Sequence, residues 1–559
     1  MPKSNGFVLL MTIIVTIALT GCGGSSNQPL PPPGGGFSNS NLNGTYVVSF
    51  SGYDIGNGYG SFFSVLGNIT ANGTGDITGG TVDINDPSLG SALGTSYVFT
   101  KLSTSGTYNI TADGRGTGSI SLNINGATVA FGLDFVMTST SHGLISRFDQ
   151  SGSGSGSIDL QAPNLSQSSF AGSYAFGFSG VDGGAINPLA TVGSFTLDSN
   201  GNVTVGQQDF GDNGDSRGLK NLSVTGTVFA GVPGSSQLTT GARGFGTLHF
   251  DVWAIDTTHL KFIETDSFGY MEGDALSSTG HATLASGPLV LTLSGEDVAQ
   301  GPFAAGGMLT SDGTSQITSG AEDVNDEGLV TQAPQVTGSF TVNGARTLLT
   351  LNNIYNGNLY GNTLAAANYT FAAYPYNGGA FLLEVDNGGG TTFGISNGTL
   401  YTQSATTINS SQGYGLNLSG ANGDGEVDWI AEFTTSGNTM NGLYDANNLG
   451  YLITDARLGT GTYSVASNGR GTTSFPALQT NGNSFISALN LTFYVVDSST
   501  AVFLETDPGQ LSIGAFELQT NGAGETAAQL TATARPQFSI IRPVFANHRS
   551  FQSQLDTKH

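Results

Sequence analysis

This chain of 559 residues has little of several things that stabilise or mark other proteins. It has one cysteine, Cys22, so no disulfide can form within it, and only 10% of its residues are charged. Its six histidines are scattered and show no H-E-x-x-H spacing, which argues against a catalytic zinc site. No apolar run reaches the roughly 20 residues that a transmembrane helix needs. The stability of the chain must therefore come from packing and from backbone hydrogen bonds.

The charges that are present are mostly negative. Asp and Glu together number 40 against 15 Lys and Arg, which gives a formal net charge of −25. Such a chain repels phosphate, so we expect no nucleic-acid partner. The sequence is also rich in glycine and phenylalanine, with 85 and 33 copies, and its aromatic residues alternate with small polar ones. This alternation indicates β-structure rather than disorder, which is usually poor in aromatics.

One short motif returns along the chain. The segments LNGTYVVSFSG, FAGSYAFGFSG, GPLVLTLSG and SQGYGLNLSG end at Gly52, Gly180, Gly295 and Gly420. Each segment is followed by the same order of motifs: Gly-Asn turns, a G-T-Y strand, a Gly-Arg-Gly turn and a final hairpin. The spacing predicts a tandem array of four related units, which is the usual meaning of self-similarity at a fixed period.

Within a unit the residue pattern is that of β-strands. Apolar residues alternate with small or polar ones, as a half-buried strand requires. The residues assigned to the buried face are Tyr46, Val48 and Phe50 in unit one, Tyr174, Phe176 and Phe178 in unit two, and Tyr414, Leu416 and Leu418 in unit four. Roughly seven or eight such runs occur in each unit, joined by short turns.

Short turns between consecutive strands make sequence neighbours antiparallel. We therefore predict an all-β fold of four tandem antiparallel meanders, each an up-and-down β-barrel, which removes exposed strand edges. A β-sandwich is the alternative closure. The general plan resembles that of small avidin- or lipocalin-type barrels, without the ligand-binding signature of either family. A parallel β-helix would show repeats of about 20–30 residues, which are absent.

The places where the alternation lapses set the predicted domain boundaries. These are 1–21 for a signal peptide, 22–41 for a tether, 42–161, 170–278, 288–401 and 412–520 for the four repeats, and 521–559 for a basic C-terminal tail. Over about residues 42–520, the grammar of the units resembles uncharacterised Gly-rich all-β repeat lipoproteins of environmental bacteria. That resemblance implies no particular activity.

The N-terminal segment has the features of a secretory signal. Lys3 precedes an apolar run from Phe7 to Leu19, and the run ends in Leu-Thr-Gly-Cys at Cys22. This ending resembles the lipobox of bacterial lipoproteins. The resemblance implies cleavage before Cys22, lipidation of its sulfur and anchoring to the membrane. Gly23, in place of Asp, implies the outer membrane, with the chain in the periplasm or on the cell surface. A simple signal peptide with a chance cysteine is the alternative.

Charged residues recur at fixed places in the repeat. The arginines of the Gly-Arg-Gly region and the glutamates that end the last hairpin form the set Arg115, Arg243, Arg346, Arg470, Glu264, Glu384 and Glu505. We assign the glutamates to the strand face opposite the core. The expected role is a charge-assisted Arg–carboxylate pair that closes each barrel, and a polar ligand site at the barrel mouth is the alternative. Unit one departs from the pattern, with Arg147 at the acidic end of its hairpin.

Acidic turns are candidate calcium sites, since calcium takes six to eight oxygen ligands. The candidates are Asp209, Asp212, Asp215, Asp323, Asp326, Asp424 and Asp428. None of these turns matches the EF-hand loop, and solvated turns are the simpler interpretation. An aspartate also recurs in every unit, at Asp83, Asp209, Asp323 and Asp445.

No catalytic residue is predicted. The one G-x-S-x-G match, around Ser396, lies in strand and turn sequence rather than at a strand-to-helix elbow. The expected role is structural or adhesive, with polysaccharide or an envelope protein as partner and no cofactor beyond a possible calcium ion. One alternative is a glycan hydrolase with paired carboxylates. Another is a small-ligand carrier, which would require hollow barrel interiors.

Overall fold

The structure is a computed structural model of the chain. It describes residues 36–55, 61–94, 96–183, 187–212, 219–231, 236–240, 246–266, 269–280, 283–296, 301–326, 328–333, 335–355, 359–360, 363–364, 366–386, 395–422, 425–480, 483–508 and 510–520. All of these residues belong to one compact unit. The predicted all-β class is confirmed, and the four repeats are four closed antiparallel barrels of the meander type.

Barrel 1 follows the predicted meander, with each strand paired to its sequence neighbour. Its strands are β1 (Asn43–Asp54), β2 (Ser61–Asn72), β3 (Asp76–Asn85), β4 (Val98–Ile110), β5 (Arg115–Ile124), β6 (Ala127–Met137), β7 (His142–Asp149) and β8 (Gly152–Leu160). Pairing of β1 with β8, from Tyr46 opposite Leu160 to Asp54 opposite Gly152, closes the barrel. A helix of seven residues, α1 (Pro87–Leu93), lies between β3 and β4. No helix among the described residues is long and apolar enough to span a membrane.

Barrel 2 repeats this order. Its strands are β9 (Gly172–Asp182), β10 (Pro188–Leu197), β11 (Asn202–Asp212), β12 (Leu219–Thr227), β13 (Ser236–Thr240), β14 (Thr247–Ala254), β15 (His259–Glu264) and β16 (Gly269–Ser278). The closing pair is β9 with β16. The segments before barrels 1 and 2 each contain one 3-10 turn, at Asn39–Asn41 and Gln167–Phe170.

Barrel 3 has the same closure but a divided fourth strand. Its strands are β17 (Gly287–Glu296), β18 (Pro302–Ser311), β19 (Gln316–Asp326), β20 (Leu329–Ala333), β21 (Thr337–Asn343), β22 (Arg346–Ile354), β25 (Ala367–Tyr376), β26 (Gly379–Glu384) and β27 (Ile395–Thr402). Between β22 and β25, the strands β23 (Leu359–Tyr360) and β24 (Thr363–Leu364) pair with each other as a separate two-stranded sheet. β20 pairs with one end of β19 and β21 with the other, so together they take the place of β4. β17 pairs with both β18 and β27, and β18 with β19, which closes the ring of strands.

Barrel 4 returns to the undivided plan, with eight strands. They are β28 (Gly413–Asn422), β29 (Gly425–Ser436), β30 (Thr439–Asn448), β31 (Tyr451–Val465), β32 (Arg470–Thr480), β33 (Asn483–Asp497), β34 (Thr500–Glu505) and β35 (Gln510–Leu518). Pairing of β28 with β35 closes this barrel.

Each barrel interior is filled by side chains. The predicted inward faces of β1, β9 and β28 lie in the cores of barrels 1, 2 and 4, and aromatic rings meet there. Phe176 and Phe178 stack with ring centroids 4.7 Å apart, as do Trp429 and Tyr444. These filled cores therefore argue against a carrier that holds its ligand inside a hollow barrel.

The outer faces of many strands are buried as well, because the barrels pack on one another. Val47, whose side chain points away from the barrel 1 core, lies against Trp253 of barrel 2. Apolar clusters of this kind join barrel 1 to 2, 2 to 3, 3 to 4 and 4 back to 1, with representative members Val47 and Trp253, Val192 and Tyr374, Val290 and Tyr494, and Ile430 and Val136. The four barrels thus form a closed ring.

Candidate functional site

The recurrent arginines lie at the seams of this ring. Each described one begins the fifth strand position of its barrel, directly after a tight turn, and reaches the barrel before it. Arg346 Nε donates to Asp209 Oδ2 at 2.8 Å across the seam between barrels 2 and 3. Arg470 Nε and Nη2 donate to Asp323 at 2.7 and 2.6 Å across the seam between barrels 3 and 4.

The same contact closes the ring. Arg115 Nη1 of barrel 1 donates to Asp445 Oδ2 of barrel 4 at 2.8 Å, and its Nη2 donates to Asp455 at 2.9 Å. Asp113 holds Nε of the same guanidinium at 3.2 Å. Burial disfavours the charged form of Arg115, but the three carboxylates around it raise its pKa further above its ordinary value.

A tyrosine completes two of these seams. Tyr374 Oη donates to Asp209 at 2.6 Å, and Tyr494 Oη donates to Asp323 at 2.6 Å. Tyr494 lies directly opposite Arg470 on the next strand of barrel 4, and Tyr374 follows Ala373, which pairs with Thr347 next to Arg346. Burial raises the pKa of both tyrosines well above 10. Each of these two carboxylates is therefore held by a guanidinium and a phenol at once.

These contacts correct the predicted pairing. The arginines were expected to pair with the hairpin glutamates and to close single barrels. Instead, the described ones pair with the recurrent aspartate of the preceding barrel and join barrels together. Arg243, the fourth member of the set, lies outside the described residues, so its role stays a prediction. The aspartate in the matching position of barrel 1 is Asp83.

An asparagine two residues beyond the aspartate marks three of the seams. Asn447 Nδ2 donates to the backbone carbonyls of Arg147, Asp149 and Gly152, at 2.9, 3.2 and 2.6 Å. Asn325 does the same to the hairpin between β34 and β35, and Asn85 to the hairpin between β15 and β16. At these three seams, a side-chain amide therefore hydrogen-bonds to the backbone of the last hairpin of the following barrel.

The hairpin glutamates face the barrel interiors rather than the outside. Glu264 is paired with Phe250, Glu384 with Phe371 and Glu505 with Leu491, and each of these partners belongs to a barrel core. Ser396 Oγ donates to Glu384 at 2.8 Å, and Gln510 Nε2 donates to Glu505 at 2.9 Å. The assignment to the face opposite the core was wrong, since residues two apart, such as Phe262 and Glu264, share one face of a strand.

Burial changes the acidity of these groups. It raises the pKa of Glu505 to about 8 and that of Glu264 well above its usual value. In the same way, burial raises the pKa of Asp134 and of Glu322 to about 8. Charge is costly away from water, so these carboxyl groups hold their protons near neutral pH.

The calcium candidates do not converge. Asp209 and Asp323 are held by seam arginines, and Asp428 accepts a hydrogen bond from Ser153 Oγ at 2.5 Å between barrels 4 and 1. Asp326 is buried at the end of β19. Asp215 and Asp424 lie outside the described residues, as does the side chain of Asp212. Within the part of the chain that the structure describes, no three acidic, histidine or cysteine side chains are grouped to hold a metal.

A further charged group joins barrels 1 and 4. His142 Nδ1 lies 2.6 Å from Asp159, and its Nε2 lies 3.0 Å from Glu517 of barrel 4. Burial opposes the charge, but Glu517 and Asp159 raise the pKa of His142 to about 10. The ring is thus fixed at this point by an imidazolium between two carboxylates.

Comparisons with known proteins found weak similarity to solved structures. No protein-family model and no curated protein sequence matches the chain. Two crystal structures of mutants of the vaccine antigen transferrin binding protein B from Haemophilus parasuis align at 10% identity, one over 68% of this chain and 83% of that chain with a TM-score of 0.18, the other over 69% and 83% with 0.19. A structure of intact Ap-TbpB, with N and C lobes, aligns at 10% identity over 68% and 83%, with a TM-score of 0.16. Similarities at this level say nothing here about fold or function.

Sequence reasoning missed the asparagines at the seams and the inward glutamates. The signal for the asparagines was present, because Asp-x-Asn recurs as Asp83 to Asn85, Asp323 to Asn325 and Asp445 to Asn447. A polar pair that returns in unit after unit, in an array whose charged residues are scarce, points to contacts between units.

Proposed function

We propose that this chain is a lipid-anchored protein of the bacterial cell envelope whose ring of barrels is a rigid, non-enzymatic binding platform for polysaccharide or another envelope component. The observation that carries the proposal is the use of the scarce charges. The described members of the recurrent arginine set join barrels through ion pairs with the recurrent aspartates.

This arrangement favours binding over transport or turnover. Barrels on flexible linkers would move independently, whereas seams with buried ion pairs and apolar clusters hold the four in fixed relation. The outer surface of this rigid body carries exposed Thr and Asn side chains such as Thr78 and Asn72, and its exposed tyrosines among the described residues are Tyr97 and Tyr451. The lipobox ending at Cys22 supports the anchoring part of the proposal, in the outer membrane and exposed to the periplasm or the cell surface.

Two experiments test the two halves. For anchoring, cells that express the chain with Cys22→Ala are compared with wild type by membrane fractionation and by incorporation of labelled palmitate. We expect the label and the membrane association to be lost in the variant. Retention of both would contradict lipidation at Cys22.

For binding, the purified full-length chain is co-sedimented with insoluble cell-wall polysaccharides, with serum albumin as the negative protein. Saturable sedimentation with one class of polysaccharide is the expected result. Absence of binding to every polysaccharide tested would leave a passive structural ring and would end the binding half of the proposal.

A further inference from the structure

Barrel 1 has a cavity of about 390 Å³ at one of its mouths. The lining comes from the end of β1, the start of β6, the turn between β7 and β8, and α1 with its N-cap. Phe131 of the barrel core forms part of the floor, and the exposed Ile55 stands at the edge. Volumes of about 300–1,000 Å³ are those of small-molecule pockets.

Arg147 is the central polar group of this cavity. It is 4% exposed, and its guanidinium carbon lies 4.6 Å from the centre of the Phe63 ring and 4.9 Å from that of Phe131. Its Nε donates to Asp149 at 3.1 Å, whereas Nη1 is buried and meets no acceptor among the described residues. A buried cationic donor that meets no acceptor in the described part of the chain is rare, and an acceptor from a bound ligand would satisfy it.

Two carboxyl groups supply acceptors in the same cavity. Asp86 is 2% exposed and caps α1 by accepting from Leu89 N at 2.8 Å. Asp54 is 7% exposed and accepts from Ser61 Oγ at 3.0 Å. Burial and the neighbouring Asp54 raise the pKa of Asp86 to about 7. The cavity therefore offers donors and acceptors side by side.

These features belong to barrel 1 alone. In the matching position of the last hairpin, the other barrels have Glu264, Glu384 and Glu505, where barrel 1 has Arg147. The only α-helix in the described part of the chain, α1, forms one wall of the cavity. Arg147 and α1 thus both distinguish barrel 1 from the other barrels, and both line the same cavity. Their coincidence indicates a binding site in barrel 1 that is separate from its contacts in the ring.

We propose that this mouth of barrel 1 binds the terminal sugar of a neutral saccharide. An anionic ligand would face Asp54 and Asp86, and a cationic ligand would face Arg147, whereas neighbouring hydroxyl groups can accept from the guanidinium and donate to the carboxyls. The apolar wall of Leu89, Ala92 and Val129 suits the C–H face of a sugar ring. This inference rests on the proposed polysaccharide-binding function and names its site.

Barrel 4 extends the rim of the cavity. A Cβ placed on Gly450 would lie 2.5 Å from Ile55 Cδ1 and 2.7 Å from the Gln150 carbonyl, so the turn before β31 abuts two lining residues. The next residue, Tyr451, is 62% exposed. An exposed aromatic ring beside the rim gives a second sugar unit a surface to stack on.

The test is isothermal titration calorimetry of the full-length chain with methyl glycosides of glucose, galactose, mannose and N-acetylglucosamine. Glucuronate and glucosamine serve as anionic and cationic probes of similar size. Arg147→Glu installs the residue of the other three barrels, and Asp86→Asn keeps an oxygen for the α1 cap. We expect one neutral glycoside to bind, and each variant to weaken its affinity by roughly ten- to a hundredfold.

Arg457→Ala, which removes an exposed arginine from β31 of barrel 4, is the matched control and should bind as wild type does. Circular dichroism verifies that every variant is folded. Binding confined to glucuronate or glucosamine overturns the inference, and so does neutral-sugar binding that both cavity variants retain. If the cavity variants still co-sediment with polysaccharide, the chain binds polysaccharide elsewhere and only the barrel 1 site is contradicted. If the wild-type chain binds a neutral glycoside but does not co-sediment with any polysaccharide, the proposed polysaccharide-binding function is contradicted and the barrel 1 site is retained.

Discussion

At the scale of single residues, this protein places charge where most proteins place apolar side chains. Asp209 is fully buried, and its partner Arg346 is 6% exposed. A buried ion pair adds little over a well-packed apolar pair, but removing one partner leaves the other charged and unpaired. The seams are therefore more sensitive to single substitutions than to double ones.

Arg346→Met tests this sensitivity. We expect a loss of about 3 kcal/mol in the free energy of unfolding, because among the described residues Asp209 then keeps Tyr374 and the backbone amide of Asn221 as its donors. Adding Asp209→Asn to the same chain should restore part of the loss. Urea unfolding monitored by fluorescence measures both, with Asn438→Ala in an exposed turn as control, expected to change stability by less than about 0.5 kcal/mol. Equal effects of Arg346→Met and Asn438→Ala would contradict a buried pair.

The inward carboxyl groups predict a dependence of stability on pH. The pKa of Glu505 is about 8 in the folded chain, well above that of an exposed glutamate. The stability that it contributes is therefore complete below about pH 4, where both states are protonated, and is lost as pH rises towards 8. Asp134 and Glu322, with pKa values of about 8, act in the same direction.

Urea unfolding at intervals from pH 5 to pH 9 measures this dependence. The free energy of unfolding of the wild type should fall across the range. In Glu505→Gln the slope should be shallower by up to about 1.4 kcal/mol per pH unit, which is the contribution of one proton. Parallel curves for the two proteins would show that Glu505 is ionised in the folded chain.

At the scale of elements, the strands are fitted to their neighbours in the next barrel as closely as to their own core. A Cβ on Gly306 of β18 would lie 2.4 Å from the Tyr494 ring of barrel 4. Tyr494 Oη, whose hydrogen goes to Asp323, also lies 2.9 Å from the Gly306 carbonyl oxygen. The glycine is required here by the approach of another barrel.

Gly306→Ala should therefore weaken the seam between barrels 3 and 4. We expect a destabilisation of about 1–3 kcal/mol, as for other overpacked interiors. Gly79→Ala on β3 is the control, because a Cβ there would meet nothing within 4 Å. Differential scanning calorimetry of the two variants decides the matter, and an equal melting temperature for both would count against a tight seam.

The hydrogen bonds of the seam asparagines also join strands of neighbouring barrels. Asn325 Nδ2 donates to the carbonyls of Glu505, Asp507 and Gln510, at 3.0, 3.3 and 3.1 Å. Asn325→Ala leaves these hairpin carbonyls without that donor and should cost about 1–3 kcal/mol. The exposed turn residue Asn438, changed to alanine, should cost less than about 0.5 kcal/mol. Chemical denaturation of the two variants makes the comparison, and equal losses would exclude a special role for Asn325.

Sequence reasoning reached the barrels because alternation is a local signal. The run from Tyr46 to Phe50 shows period two wherever it is placed, and short turns leave antiparallel pairing as the simple solution. It did not reach the ring, because closure depends on the angle between successive barrels, which no local pattern records. The glutamates were misplaced for a different reason: the alternation itself puts Glu264 on the same face as Phe262, and the end of a barrel can take a carboxyl group on the face of its aromatic core.

At the scale of the whole molecule, each barrel offers one face to the next and another to the one before. Repeated head-to-tail contacts of this kind close into a ring when the rotation between units fits. Here the fit is made within one chain, and Arg115 and Asp445, 330 residues apart, complete it. Stability is thereby shared among the barrels.

Cooperative unfolding follows from this sharing. Calorimetry of the full-length chain should show one main transition, and a chain cut after Thr402, without barrel 4, should melt at lower temperature and bind the dye ANS. Removal of barrel 4 uncovers Val136 and Leu144 on barrel 1 and Val290 and Met308 on barrel 3. Four resolved transitions, together with equal melting temperatures for the truncated and the intact chain, would show that the barrels unfold independently.

The closing seam also sets an order in time. Synthesis delivers barrel 1 first, yet the face that carries Val136 and Arg115 is covered by barrel 4. Throughout that interval a finished domain shows an apolar, half-paired surface to its surroundings, the condition under which chains associate with the wrong partner. The ring therefore leaves the barrel that is made first incomplete until the barrel that is made last has folded, and correct assembly depends on that exposed face of barrel 1 meeting no other partner before then.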